Sequence, residues 1–318
     1  MGTYTDMNNI LSSPPLLERK HPCKSIQASM VLFGVPKMFK YIFKSYVRNI
    51  IEQNPRVDFS VHLHMYHDLL MVNTPRNGER GIPAETPERV LAITRSLMED
   101  SSSINFITSN QTAFDQTLSS WLGQSDRLYD YDMITTMNIF RQGNSMKNAF
   151  LLALGSRLEG TRILSENVPR CGNSTVYLFL RSDTLLISPI TIPQTGLQSN
   201  NIILPTWEAW RGAAYNDRLA VAGPYAAEIY AEAKASGFKD MILNQKSKNS
   251  SLYDLGTPER MLKSYFDKKA DQLNVTLVDH WAKLLRIRTD GTINDRDKGE
   301  FGIQLNNVKN LTFAWTPV

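Results

Sequence analysis

IQASMVLFGVPKMFKYIFKSYVRNIIEQNPRVDFSVHLHM, residues 26–65, decides the fold. Its first eight residues, 26–33, are a short and mostly apolar run that reads as a buried β-strand. Gly34, Val35 and Pro36 break it. Phe39, Ile42, Phe43, Tyr46, Val47 and Ile50 then recur at helical spacing, while Lys40, Lys44 and Arg48 step along another face. Asn54 and Pro55 close this amphipathic helix, because the residue before a proline is pushed out of the helical region. Residues 57–65 (VDFSVHLHM) supply a second strand. Strand, turn, helix and strand in so short a stretch make a βαβ unit, which predicts a parallel α/β sheet.

Outward from this unit the same period-2 and period-3.6 signals continue. Residues 73–87 form a polar insertion, expected as a loop over one end of the sheet. Thr86, Pro87 and Glu88 start a helix with a side-chain cap, a proline at the first position and an acid in the first turn. Residues 104–108 are a brief strand candidate, 114–122 a short helix, and 131–158 a long helix weakened by Gly143. Residues 176–180 (VYLFL) give the most continuous central-strand signal and run into Arg181, Ser182 and Asp183. Further strands are expected at 202–204, 276–278 and 284–288, the last ending in the turn Asp290-Gly291. Helices are expected at 224–235 and 257–269.

Composition narrows the function classes. The chain has 318 residues, 42% of them hydrophobic and 21% charged, which suits a globular protein with a substantial core. Its 35 basic and 31 acidic residues are spread along the chain, with no dense basic block interleaved with aromatics, so nucleic acid is not expected as a partner. Two cysteines, Cys23 and Cys171, cannot make a disulfide framework or a Cys-rich zinc site. No apolar run is long enough to span a membrane, and residues 1–24 read as a polar extension ahead of one domain over 25–318. The expected compartment is the cytoplasm, or the Golgi lumen if an anchor is missing.

Three constellations carry chemistry. His62, His64 and His67 with Asp68 resemble the first metal motif of metallo-β-lactamase-type hydrolases, although Tyr66 stands where that motif needs an aspartate. Arg181, Ser182 and Asp183 end the central strand, where ligands bind in open α/β sheets. A carboxylate there suits a metal-phosphate or a sugar hydroxyl, and an arginine suits a diphosphate. The first strand-to-helix turn, Gly34 to Lys37, offers close backbone approach, a helix N-terminus and a positive charge. It matches neither a P-loop nor a dinucleotide-binding fingerprint.

Taken in order, VLFGVPKMFK, VHLHMYHD, NIFRQGNSMKNA, LRSDTLLISPI, NDRLAVAGPYAA, TPERML and RIRTDGT resemble a largely uncharacterised eukaryotic group related to GT-A-type nucleotide-sugar glycosyltransferases. The resemblance implies a single GT-A-like, Rossmann-like α/β domain whose mostly parallel central sheet is flanked by helices. It implies sugar transfer from a nucleoside-diphosphate sugar to a hydroxyl of a small-molecule or glycan acceptor. Gly34, Val35, Pro36 and Lys37 would border the nucleotide, and Arg141 and Gln142 would face the donor pocket. Arg181, Ser182 and Asp183 match the place of the D-x-D metal motif. Arginine replaces its first acid, so a divalent cation, manganese or magnesium, has only Asp183 as an expected ligand.

Asn216, Asp217 and Arg218 would lie near the acceptor, with Asp217 the expected catalytic base and Arg218 holding it ionised. Glu259 and Trp207 complete the acceptor side, with Trp210 as a second stacking ring. Two other functions fit the same residues: a non-catalytic nucleotide- or glycan-binding protein of this fold, and a metal-dependent hydrolase built on the histidines.

Overall fold

The computed structural model describes residues 26–66, 85–98, 103–109, 175–206, 214–231, 233, 258–278, 282–288 and 290–311. Strand β1 (Ile26–Gly34) leads through helix α1 (Phe39–Tyr46) and a π-turn (Val47–Ile51) into β2 (Val57–Tyr66). Helix α2 (Pro87–Leu97) precedes β3 (Ser103–Ser109), and β4 (Thr175–Arg181) and β5 (Thr184–Leu186) follow. Then come β6 (Asn201–Pro205), β7 (Leu219–Ala222) and helix α3 (224–231). Helix α4 (Pro258–Asp267), β8 (Asn274–Val278), β9 (Leu284–Arg286) and α5 (Asp295–Phe301) complete the elements used below.

Among the described residues, seven strands form one sheet in the order β3-β2-β1-β4-β7-β6-β8. Strands β1 to β4 pair in parallel. β7 runs antiparallel to both of its neighbours, β4 and β6, while β8 lies parallel to β6. The fold is therefore mixed α/β with a mostly parallel central sheet, as the opening βαβ unit predicts. β5 and β9 pair apart from it as an antiparallel ribbon, so the expected strand at 284–288 does not join the central sheet.

Burial explains why β1 and β4 are apolar almost throughout. Ala28, Met30 and Leu32 of β1 pack with Phe39, Ile42, Phe43 and Tyr46 of α1 on one face. Val31 and Phe33 pack on the other face with Tyr230 of α3 and Phe266 of α4. A parallel strand covered on both faces needs a near-continuous hydrophobic run, not an alternating one. The α1 residues expected to face the core are buried, and its last turn is wound as a π-turn.

Polar side chains tie α1 to the β5 segment. Asn49 donates to the Leu186 carbonyl (2.8 Å), and the Leu186 N–H donates to the Ser45 hydroxyl (3.1 Å). Asn54 is 5% exposed, donates to the Ile50 and Ile190 carbonyls and accepts from the Ile192 N–H (2.7 Å). Sequence reading took Asn54 as a helix terminator only. In the fold its amide closes the backbone groups of a second segment more than a hundred residues away.

Three elements have no sequence signal: β5 (Thr184–Leu186) is only three residues long. β7 (LAVA) is too short and its residues too small to show period-2 alternation. α5 (DRDKGEF) is charged and carries a glycine, so no apolar stripe announces it. The expected helices at 114–122 and 131–158 lie outside the described residues.

Replacing Asn54 with alanine strands the Ile192 N–H and two carbonyls in a buried setting. At about 1–3 kcal/mol for each orphaned group after partial relaxation, Asn54→Ala is expected to lower unfolding free energy by roughly 2–4 kcal/mol. Urea titration of the variant against the parent chain measures this directly.

Candidate functional site

The sheet order places its switch point between β1 and β4: the chain steps from β1 outward to β2 and β3, then returns to β4 on the other side of β1. Ligands of open α/β sheets bind outside the carboxyl ends of the strands at such a point. Phe33 pairs with Arg181 across it, and the Ser182 N–H donates to the Phe33 carbonyl (2.9 Å). The turn at Gly34, Val35, Pro36 and Lys37 therefore sits beside Arg181, Ser182 and Asp183. Gly34 has φ 113°, a backbone conformation that L side chains rarely adopt, which accounts for glycine at the end of β1.

Reversal of β7 supplies the third segment. Because β7 is antiparallel and Leu219 pairs with Leu180, its beginning lies at the same edge where β4 ends. The Arg181 N–H donates to the Arg218 carbonyl (3.3 Å), and Asp217 reaches the Arg181 side chain.

Arg181 is the centre of this edge. Its Nε and Nη2 donate to the two oxygens of Asp183, each at 2.9 Å, in a bidentate pair. Its Nη1 lies 3.4 Å from both oxygens of Asp217. The Arg181 and Asp183 side chains are 12% exposed, whereas that of Asp217 is 1% exposed. Burial works against charge on Arg181, but the carboxylates of Asp183, Asp217 and, more weakly, Glu259 outweigh it and raise its pKa. Burial likewise favours a neutral Asp183. The fields of Arg181 and then Lys37, with a smaller one from Arg286, hold its carboxyl well below the usual range.

Arg218 was expected beside Asp217, and the structure adds a second carboxylate, Asp297, on its guanidinium. Its Nη1 pairs with Asp297 Oδ2 at 2.9 Å, both side chains being 1% exposed. Asp297 Oδ2 also accepts the Arg286 N–H (2.6 Å). Arg181 supplies a guanidinium to Asp217. The Tyr230 hydroxyl donates to the Asp217 carbonyl (3.5 Å), and Arg218 Nη1 also reaches the Leu284 carbonyl of β9 (3.5 Å). Asn216 is 1% exposed, and its Oδ1 accepts the Arg218 N–H (2.9 Å), fixing this turn.

Glu259 stands in the first turn of α4, as its helix-start signal predicts, and its carbonyl accepts the Tyr215 N–H (3.0 Å). Its Oε2 is buried without a hydrogen-bond partner, and its charge reaches Arg181. The α1 N-terminus is less open than expected. Glu85 Oε1 accepts the Phe39 N–H (2.8 Å), and the Glu85 N–H donates to the Pro36 carbonyl (3.2 Å). Glu85, two residues before α2, thus lies against the turn after β1, and residues 73–84 of the expected loop lie outside the described residues. Burial raises the Glu85 pKa, against the pull of the Phe39 amide and Arg89. Neither Glu85 nor Asp297 was singled out in sequence, since isolated acids in polar segments carry no periodic signal.

The histidines take a different part. His62 and His64 lie on one face of β2, each 4% exposed. His62 Nε2 meets the Ser60 hydroxyl and Nδ1 meets the Asn105 amide, both at 3.2 Å. Both ring nitrogens are thus engaged by neutral partners on β2 and β3, which favours a structural role over metal ligation. Among the described residues no group of three or more His, Cys, Asp or Glu is arranged to hold a metal ion. His67, Asp68, Arg141, Gln142, Trp207 and Trp210 lie outside the described residues.

Asp183 was the one candidate ligand for a divalent cation, and among the described residues its surroundings do not fit one. Both Asp183 oxygens already accept from Arg181 in short, directed bonds, and the facing oxygens of Asp217 border the same guanidinium. A hard cation needs those oxygen lone pairs for itself.

No family model matches the chain, and no curated protein matches it by sequence. Among solved structures it is similar to apo mouse xyloside xylosyltransferase 1, with TM-score 0.38 and 9% identity over 80% of this chain and 85% of that one. It is similar to the galactosyltransferase LgtC in complex with donor and acceptor sugar analogues, with TM-score 0.38 and 11% identity over 79% of this chain and 73% of that one. It is also similar to the glycosyltransferase GlyE of Streptococcus pneumoniae TIGR4, with TM-score 0.37 and 12% identity over 79% of this chain and 45% of that one. At these identities and TM-scores the likenesses carry no inference about activity or individual residues. Among the described residues no helix is long and apolar enough to cross a membrane.

Two outcomes are expected from this geometry. Removing the guanidinium with Arg218→Met leaves Asp297 charged in a buried setting, which typically costs about 3–5 kcal/mol; chemical denaturation should show that loss. Asp183 has a folded pKa below its unfolded value, so its stabilising contribution is complete above the unfolded range near ~4 and fades as pH falls further. The melting-temperature gap between the parent chain and Asp183→Asn is therefore expected to be constant near neutral pH and to narrow in acid.

Proposed function

We propose that this protein transfers a sugar from a nucleoside-diphosphate sugar to an acceptor hydroxyl. The observation that carries the reading is a charged guanidinium, Arg181, held by two carboxylates at the switch point of the sheet, beside the Lys37 turn. The ordered sequence motifs of the glycosyltransferase-like group add support, since the segments around Gly34, Arg181 and Asp217 converge on one edge.

Glycosyl transfer requires that the departing diphosphate be stabilised where its charge develops. Arg181 and Lys37 supply that charge, and both are pre-oriented by folding, so little reorganisation accompanies the reaction. The attacking hydroxyl must give up a proton, and Asp217 is the proposed acceptor of it. Asp217 lies behind Arg181 at 1% exposure, with its longer contacts at 3.4 Å against 2.9 Å for Asp183. The acceptor hydroxyl takes the place of this looser contact and so meets Asp217 while the Asp183–Arg181 pair stays intact. Catalytic hydrogen bonds often form only in the substrate complex, so the apo distance is compatible with this role. The proposed donor-side residues are Gly34, Val35, Pro36, Lys37, Arg181, Ser182 and Asp183, with Arg141 and Gln142. Asn216, Arg218 and Glu259 support the acceptor side, together with Trp207.

Calorimetry with UDP, GDP and CMP tests the donor site. A nucleoside diphosphate is expected to bind the parent chain, and Arg181→Ala is expected to weaken it at least tenfold with the fold intact. For Asp217→Asn, nucleotide affinity is expected to stay near normal while transfer, or slow hydrolysis of a nucleotide-sugar, falls about a hundredfold or more. An Asp217→Asn variant that melts early but keeps its activity per folded molecule makes Asp217 structural and defeats this mechanism. Nucleotide binding with no turnover of any nucleotide-sugar favours a non-catalytic binding protein.

A further inference from the structure

The mismatch between Asp183 and a divalent cation has a specific cause: the cation position is already filled by the chain itself. We infer that the Arg181 guanidinium serves as a built-in replacement for a divalent metal ion, so that donor binding at this site is metal-independent. The inference rests on the proposed diphosphate-binding role of the site, and it adds what the site uses in place of a cofactor.

Three features support it. First, charge: Arg181 lies between the carboxylates of Asp183 and Asp217, so the positive charge that a divalent cation would bring to these oxygens is already supplied. Second, geometry: the bidentate pair at 2.9 Å uses both Asp183 oxygens, so a metal gains ligands only by expelling a guanidinium. An expelled guanidinium leaves a cation close to a dication in a site where the side chains are 12% exposed or less, which is strongly unfavourable. Third, anchorage: the Arg181 main chain is itself fixed, its N–H on the Arg218 carbonyl and its carbonyl 2.8 Å from the Tyr46 hydroxyl, so the head group is delivered from a rigid strand end. An arginine also presents its remaining edge to a phosphate as a planar fork, and it remains charged throughout the working pH range.

The replacement also implies what its removal does. Truncating Arg181 removes the directed donors from the oxygens of Asp183 and Asp217 and frees carboxylate lone pairs of the kind a hard cation binds. Arg181→Ala is therefore expected to gain manganese binding that the parent chain lacks.

The test uses the full chain and manganese alone as its first probe, read by electron paramagnetic resonance. The parent chain is expected to leave millimolar manganese free, Arg181→Ala to bind it, and Arg181→Ala with Asp183→Asn to lose it again. Manganese bound by the parent chain as tightly as by Arg181→Ala overturns the inference, as does no binding by Arg181→Ala once circular dichroism shows that variant to be folded. Should Arg181→Ala fail to fold, Arg181→Met keeps much of the buried stem and takes its place. The second probe is UDP titrated calorimetrically in chelator and in manganese. Equal affinity in the two conditions for the parent chain supports the inference, and a tenfold gain with manganese overturns it. If no nucleotide binds the parent chain under either condition, the donor reading itself fails, whereas the manganese arm still decides whether Arg181 occupies a cation position.

Discussion

A single residue, Arg181, joins three parts of the chain that are far apart in sequence. Its guanidinium grips Asp183 and borders Asp217, its N–H holds the strand entering β7, and its carbonyl meets the Tyr46 hydroxyl of α1. A buried cation is tolerable only when its charge is matched and its donors are directed at acceptors. Two carboxylates close by, with a third at Glu259 contributing to its field, meet that condition. The sheet edge around the switch point depends on this match. Losing one partner leaves the other charges uncompensated in a setting where water cannot easily help.

The edge carries more charge than Arg181 alone, and it is sorted. Lys37 and Arg286 act on Asp183 from the β1 turn and from β9, while Arg218 is spent on Asp297 behind the edge. The two arginines that bracket Asp217 in space therefore do different things. The Arg181 side chain keeps a small exposed margin, 12% of its surface. Arg218 is wholly enclosed and stabilises the junction of β7, β9 and α5.

Much of the architecture was legible because the strands that build it are either buried on both faces or sharply bounded. β1, β2 and β4 announce themselves by apolar runs, α1 by its stripe and α2 by the Thr86 cap, whose side chain accepts the Arg89 N–H. β7 was read only as a run of small residues, because four residues of Leu, Ala and Val carry no alternation. That omission hid the reason Asp217 meets Arg181. The site residues around Gly34, Arg181 and Asp217 were each legible as candidates. Their partners were not, since Glu85, Tyr46 and Asp297 come from distant segments whose local sequence has no feature marking the contact.

The sequence by itself determined the βαβ beginning, the strand ends at Gly34 and Arg181, and the kinds of charge that stand there. These follow from local physics: hydrophobic period, breaker residues and caps act within a few residues of one another. Tertiary structure alone decided which charge meets which. The reversed direction of β7 brings Asp217 to the end of β4, and the β5–β9 ribbon brings Arg286 toward Asp183. Ion pairs are set by strand order and direction, which are global properties, so the placing of Arg181 on Asp217 and of Asp297 on Arg218 could not be read from three consecutive letters.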